Sequence, residues 1–145
     1  MRGYAAIGLY ATKTDANVGG VLRAVSCYDA AMVAIEGKRY KRMNTDTTAA
    51  FRHVPLIHAP LEVVIPFDCV PVCIELCDGA TPLTEYRHPE RAFYIFGPED
   101  GSVPVELQKK CRDRVFIPTK FCMNLAATVN VVLYDRMQKE TTHAD

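Results

Sequence analysis

"FYIFGPEDGSVP", residues 93–104, carries four consecutive apolar residues, 93–96, straight into Gly-Pro-Glu-Asp-Gly. A strand that is apolar at every position is buried on both faces. Sheets buried on both faces are built from parallel strands covered by helices. In such a sheet the loops leaving the carboxyl ends of the strands form the ligand crevice. Turn chemistry alone accounts for Pro-Glu-Asp-Gly, so whether this loop faces a ligand depends on what else leaves the sheet beside it.

Working outward, apolar runs at 5–11 (AAIGLYA), 31–37 (AMVAIEG), 54–58, 70–76, 91–96 and 114–118 read as strands. Helical patterns fall between them. The spacing predicts helices over 17–29, capped by Asp15 or Asn17, over 103–111 and over 124–140, with a short one at 45–51. Residues 61–68, with Pro66 inside, read as a connector. Alternating strands and helices predict an α/β fold, a parallel sheet with helices on both faces. No repeat or composition break divides residues 1–145, so one domain is expected. Leu125, Val129, Val132, Leu133 and Met137 make one apolar side of the terminal helix, while Ala126, Ala127 and Val131 fill other faces. A helix greasy on more than one face meets two partners, its own sheet and a second subunit being the natural pair.

Apolar residues make up 49% of the 145 and charged residues 23%, ordinary values for a soluble protein. Seventeen basic residues balance 17 acidic ones, so any case for nucleic acid must come from local clusters. No apolar run approaches the roughly 18 residues a membrane span needs. The first residues lack the pattern of a signal peptide. A cytoplasmic protein with six reduced thiols is expected. Cys69, Cys73 and Cys77 are spaced by four, without the second ligand pair of a zinc site, and the four histidines show no zinc-type pairing. No metal is expected. Even spacing instead puts the three thiols on one face of a strand, as small core residues.

The chain has no GxGxxG, no GxxxxGK[ST] and no GxSxG. Three polar insertions into apolar context remain. These are "NVGGVLRAVSC" at 17–27, the opening loop, and "VFIPTKFCMNLAATVNVVLYD" at 115–135. The last two leave strands in the same direction and can line one pocket.

In this order and spacing the three resemble the motifs of the SpoU/TrmH class of SPOUT RNA methyltransferases, over roughly residues 5–135. That class has an Asn and Gly before a helical Arg, then Gly-x-Glu-x-x-Gly after a strand. Ile-Pro follows, then Ser-Leu/Met-Asn opening an apolar helix. Here the matching residues are Asn17, Gly19 and Arg23; Gly97, Glu99, Asp100 and Gly101; Ile117, Pro118, Cys122, Met123 and Asn124. The resemblance implies S-adenosylmethionine as methyl donor, S-adenosylhomocysteine as product and a ribose 2′-hydroxyl of RNA as acceptor. It also implies a C-terminal deep trefoil knot and a homodimer. Glu75, Leu76, Gly97, Gly101, Ile117 and Met123 would hold the cofactor; Asn17, Arg23, Glu99, Cys122 and Asn124 would form the catalytic group. On this reading Gly97 lets the chain pass close to the cofactor and Gly101 allows a turn closed to other residues.

A free guanidinium loses its proton only near pH 12.5 to 13.8, so using Arg23 as a base near neutrality would cost roughly 7 to 9 kcal/mol. An orienting, charge-stabilising role is the better expectation. Cys122 departs from the class, which has Ser there, and a thiol is the weaker hydrogen-bond partner. Lys38-Arg39-Tyr40-Lys41-Arg42 sets four cations around one aromatic, a phosphate-tracking loop that Arg52 could extend. With no room for a separate RNA-binding domain, the compact members that act on the wobble ribose of tRNA are the nearest match. Ribosomal RNA and a non-catalytic RNA-binding module are the alternatives.

Overall fold

The computed structural model describes residues 3–41 and 53–143. Its strands are β1 (Tyr4–Tyr10), β2 (Val33–Glu36), β3 (Leu56–His58), β4 (Val70–Ile74), β5 (Thr81–Pro82), β6 (Arg91–Phe96) and β7 (Asp113–Phe116). Its helices are α1 (Asp15–Cys27), α2 (Leu61–Val64), α3 (Val105–Lys110) and α4 (Leu125–His143). The strands form one sheet in the order β3-β2-β1-β6-β4-β7-β5, every pairing parallel. The α/β fold expected from the sequence is therefore present. The chain builds outward from β1 to β3, then returns to lay β4 beyond the place that β6 later fills. The order of strand addition, not strand direction, reverses between β1 and β6, the position where open parallel sheets open a crevice.

Alternation along each strand divides the core into two layers. Ile7, Leu9, Val72, Ile74, Tyr94 and Phe96 face α1 and α4, meeting Val18, Leu22, Val129, Val132 and Leu133. Ala6, Cys73, Phe93 and Ile95 face the other way and meet Leu61, Val103, Leu107 and Cys111. Gly8 is where the second layer is tightest: a Cβ there would sit 2.6 Å from the Phe93 ring.

Several boundaries differ from the sequence reading for local reasons. Helix α1 is capped by Thr14, whose hydroxyl accepts the Asn17 N–H at 3.4 Å, and not by Asp15 or Asn17. Residues 61–68 include the single turn α2. Strand β4 stops at Ile74, so Glu75 and Leu76 lie in the following loop. The short helix expected at 45–51 lies outside the described residues. Two-residue β5 is too short for any periodicity to mark. Of the three evenly spaced cysteines, Cys69 and Cys73 share the buried layer with Cys111, while Cys77 lies past the strand and is half-buried. A hydrogen bond with Cys111, and then burial, pushes the Cys73 thiol far up.

At the amino ends of the strands, α4 is bolted to the sheet by buried polar groups. The buried stripe runs through Leu125, Val129, Val132 and Leu133 to Arg136, which is 0% exposed, and not to Met137, which is exposed. Arg136 donates to the carbonyls of Pro89 and Glu90, each at 2.8 Å, and to the Tyr94 hydroxyl at 3.0 Å. A guanidinium has no acceptor, so the Tyr94 O–H is left to donate to His88 Nδ1 at 2.7 Å. The His88 proton then sits on Nε2 and is donated to Asp135 at 2.7 Å. Lys139 holds Asp135 from the other side at 2.8 Å. Burial, the largest influence, pushes the His88 pKa below the usual imidazole value, although Asp135 pulls the other way.

The folded pKa lies below the unfolded one, so the unfolded chain takes up the proton first as pH falls. The stability contributed by neutral His88 is whole above about pH 6.5 and is lost progressively below it. The thermal midpoint should therefore fall as pH drops from about 7.5 to about 5, and His88→Gln should flatten that slope. A wild-type midpoint constant over this window, or a slope unchanged in the variant, would show that His88 is not the group responsible.

Candidate active site

The loops leaving β4, β6 and β7 surround a cavity of about 360 Å³. Its wall includes Glu75 and Leu76 after β4, and Gly97, Pro98, Glu99 and Gly101 after β6. Ile117, Cys122 and Met123 complete it after β7. All six residues expected to hold the cofactor are on that wall, with Glu99 and Cys122 from the catalytic group. Sequence reasoning missed Lys120 and Phe121, which also line it. They were visible inside the third insertion, as a cation beside an aromatic, and Lys120 Nζ lies 5.6 Å from the Phe121 ring centroid.

Asn17, Glu99 and Asn124 come together from three distant parts of the chain. Asn124 Nδ2 donates to Asn17 Oδ1 at 3.0 Å, and Asn17 Nδ2 donates to Glu99 Oε1 at 2.7 Å. The Lys13 backbone N–H donates to Glu99 Oε2 at 3.0 Å. The chain of donors runs one way and ends on a carboxylate, the arrangement that charge-assisted hydrogen bonds favour. Local structure explains why these side chains are available. Thr14 caps α1, so the Asn17 amide can reach across to Glu99. Asn124 caps α4 through its Oδ1, which accepts from Ala127 N at 3.2 Å, and its Nδ2 remains for Asn17.

The loop after β6 folds back tightly. A Cβ on Gly97 would lie 2.7 Å from Val103 N. That same Val103 N–H donates to Glu75 Oε1 at 3.0 Å, tying two cavity loops together. Gly97 is thus required by its own loop's backbone. Gly101 is not in the left-handed region, contrary to the sequence reading, and a Cβ there would touch only Pro98 Cγ at 3.3 Å. The spacing also departs from the class: Gly97 to Gly101 reads Gly-x-Glu-x-Gly, and Ser102 stands where the class pattern places its second glycine.

Other expected site residues lie apart. Arg23 is exposed on α1 and does not line the cavity. Lys38 and Lys41 are exposed. Arg42 and Arg52 lie outside the described residues. Arg39 differs from the expectation most: its guanidinium is engaged by Asp100 and by the Ala11 carbonyl. No group of three or more His, Cys, Asp or Glu that could hold a metal occurs among the described residues. No helix among them is long and apolar enough to cross a membrane.

A parallel sheet with its cavity at the carboxyl ends of β4, β6 and β7, and with the wall residue Glu99 hydrogen-bonded to Asn17 and through it to Asn124, is that of a SPOUT-type α/β protein. The SpoU rRNA methylase family model matches residues 5–134, and the chain belongs to that family. No curated protein matches it. Among solved structures, an AdoMet-bound rRNA methyltransferase from Sinorhizobium meliloti superposes with a TM-score of 0.82 at 18% identity. The match covers 96% of this chain and 57% of that one, so this chain spans little more than half that relative's length. The tRNA-modifying TrmH/SpoU enzyme of A. aeolicus has a TM-score of 0.82 at 13% identity, covering 97% and 77% of the two chains. A structure concerned with 2-OH methylation of C/U34 on tRNA has a TM-score of 0.81 at 20% identity, covering 97% and 98%.

Proposed function

We propose that this chain is an S-adenosylmethionine-dependent methyltransferase acting on a ribose 2′-hydroxyl of RNA, with the wobble nucleotide of tRNA as its substrate. The observation that carries the reading is the one cavity holding all six cofactor residues with Glu99 on its wall, in a chain of the SpoU family. The residues fit the cofactor. The cavity is within the size range of small-molecule sites, and its wall mixes apolar Leu76, Ile117 and Met123 with polar Glu75, Thr119 and Thr128. The cofactor supplies, when bound, a methyl group on a sulfonium, open to attack by an oxygen nucleophile. The choice of tRNA is supported by the tRNA C/U34 methylation structure, which matches this chain over nearly its whole length as well as its own.

In this mechanism the protein's share is positioning. Asn17 and the Lys13 N–H fix the Glu99 carboxylate, and Asn124 fixes Asn17. Arg23 orients the ribose and offsets negative charge growing on its oxygen. Arg23 lies outside the cavity of its own chain, so a homodimer would deliver it to the other subunit's site. The exposed Val131 and Tyr134 on α4, 54% exposed at the tyrosine, suit that interface. The trefoil threading of the class and a cytoplasmic location belong to the same proposal. Lys38, Lys41, Arg42 and Arg52 would contact RNA phosphates.

Incubation with labelled S-adenosylmethionine and either tRNA or rRNA, followed by mapping of 2′-O-methyl groups, tests this directly. Label at a tRNA anticodon ribose is expected. Label only in rRNA would move the substrate. RNA binding with neither label nor any S-adenosylhomocysteine binding would favour the non-catalytic module.

A further inference from the structure

We propose that Arg39 is a positioning residue for the loop 97–101, held in that role by Asp100, and is not a ligand of RNA phosphate. The proposal rests on the methyltransferase reading for what that loop holds. Arg39 grips the turn between β1 and α1 twice: its backbone N–H donates to Thr12 O and its Nε to Ala11 O, both at 2.9 Å. Its fork then spans to the Asp100 carboxylate, Nη1 to Oδ2 at 3.1 Å and Nη2 to Oδ1 at 2.5 Å. Only a planar guanidinium can make all three side-chain bonds at once.

The turn is built to receive it. Ala11 has φ of 54°, the left-handed region that alanine rarely enters. Its N–H is fixed to Glu36 O at 2.7 Å, which leaves its carbonyl for Arg39. Thr12 is wholly buried. The same turn holds the neighbouring carboxylate, because Lys13 N–H donates to Glu99. Glu99 and Asp100 are thus both tied to one turn, the first directly and the second through Arg39.

Within 97–101, Gly97, Pro98, Glu99 and Gly101 line the cavity and Asp100 does not. Asp100 therefore acts on the site through the loop it belongs to. The Arg39 guanidinium holds the Asp100 carboxyl below the usual carboxylate range, so the pair stays charged at neutral pH. The two side chains are 40% and 47% exposed. A pair this open adds little to global stability, so its effect should be local to the loop.

The test compares wild type with Asp100→Asn, Arg39→Lys and Arg39→Gln. Readouts are amide hydrogen exchange across 97–103, titration with S-adenosylhomocysteine, and binding of a tRNA transcript at several salt concentrations. Asp100→Asn and Arg39→Lys should both speed exchange in the loop, with the thermal midpoint nearly unchanged. Both should weaken S-adenosylhomocysteine about fivefold to tenfold, the lysine failing to rescue because it has no fork. KM for the methyl donor should rise with kcat held. Asp100→Asn should also bind tRNA more tightly, with a salt slope steeper by about one unit, since a guanidinium is released.

Unchanged loop exchange in both variants overturns the proposal. So does a salt slope flatter by about one unit in Arg39→Gln with wild-type S-adenosylhomocysteine affinity, which would make Arg39 a phosphate ligand. If wild type binds no S-adenosylhomocysteine, the methyltransferase reading fails, and loop exchange alone still decides whether Arg39 and Asp100 hold 97–103.

Discussion

Arg23→Ala is expected to slow methyl transfer about a hundredfold to a thousandfold while S-adenosylhomocysteine still binds with wild-type affinity. Two observations lead to this expected result. Arg23 does not line the cavity, so its loss leaves the wall intact. It is also exposed on α1, whose buried face is made by Val18, Val21, Leu22 and Val25, so truncation creates no void. On the proposed mechanism, what is lost is a guanidinium that would meet the ribose oxygen as it gains charge. Removing one such preorganised donor costs on the order of a hundredfold to a thousandfold in rate, about 2.7 to 4 kcal/mol. Methyl transfer to tRNA measured at saturating cofactor, beside a calorimetric titration of the same variant, separates the two effects. Arg23→Lys sharpens the experiment, because lysine keeps the charge and loses the planar fork. Nearly full activity in Arg23→Lys would reduce the role to a point charge. Equal loss of activity and cofactor affinity in Arg23→Ala would place the arginine at the cofactor.

The proposed dimer makes a further demand on the same residue. Gly20 lies one turn before Arg23 on α1, and a Cβ at Gly20 would stand 2.7 Å from Ala126 Cβ. Gly20 thus lies against the amino-terminal part of α4, and Arg23 follows it one turn on. Mixing inactive Arg23→Ala with a variant damaged only in the cavity should restore part of the activity, if each subunit supplies what the other lacks.

Legibility in the sequence followed the physical signal each element carries. Strand β6 reads from 91 to 96 because positions 92–96 are all buried, between exposed Arg91 at one end and Gly97 at the other. β5 was invisible because two residues hold no period. The α1 boundary was misplaced because Thr14, Asp15 and Asn17 are all good caps. Only the fold reveals that the Asn17 amide is drawn away to Glu99, leaving the cap to Thr14. In α4 the intervals from Val129 to Val132 to Arg136 continue the buried stripe, yet a search for apolar residues steps to Met137 instead. The charge at 136 is buried only because the carbonyls of Pro89 and Glu90 and the Tyr94 hydroxyl wait for it, and no local pattern encodes them. Gly97, Glu99, Gly101, Ile117, Cys122 and Met123 of the cavity wall were legible as motifs, whereas Lys120 and Phe121 were not. Arg39 was misread because a run of cations looks the same whether it faces solvent or an acid 61 residues away.

Gly97→Ala should weaken S-adenosylhomocysteine binding about hundredfold, whereas Gly101→Ala should weaken it no more than a few-fold. The two glycines bound the same loop and differ in what surrounds them. Gly97 has no left-handed φ, so alanine there meets no conformational penalty and the whole effect is steric. The new Cβ would stand 2.7 Å from Val103 N and 3.0 Å from Ser102 C. Both are backbone atoms, and neither can swing aside as a side-chain tip would. Val103 is itself buried and its N–H is bound to Glu75, so moving it breaks a hydrogen bond and disturbs a second cavity loop. Overpacking of this kind costs about 1 to 3 kcal/mol. Here the displacement falls on the loop carrying Glu99, so the loss should appear mainly in cofactor affinity and more weakly in the thermal midpoint. At Gly101 the only close neighbour is the Pro98 ring at 3.3 Å, which can pucker away. Calorimetric titration of both variants decides the matter. Wild-type affinity in Gly97→Ala would mean that 102–103 relaxes freely, and equal damage from Gly101→Ala would move the constraint from backbone contact to the loop as a whole.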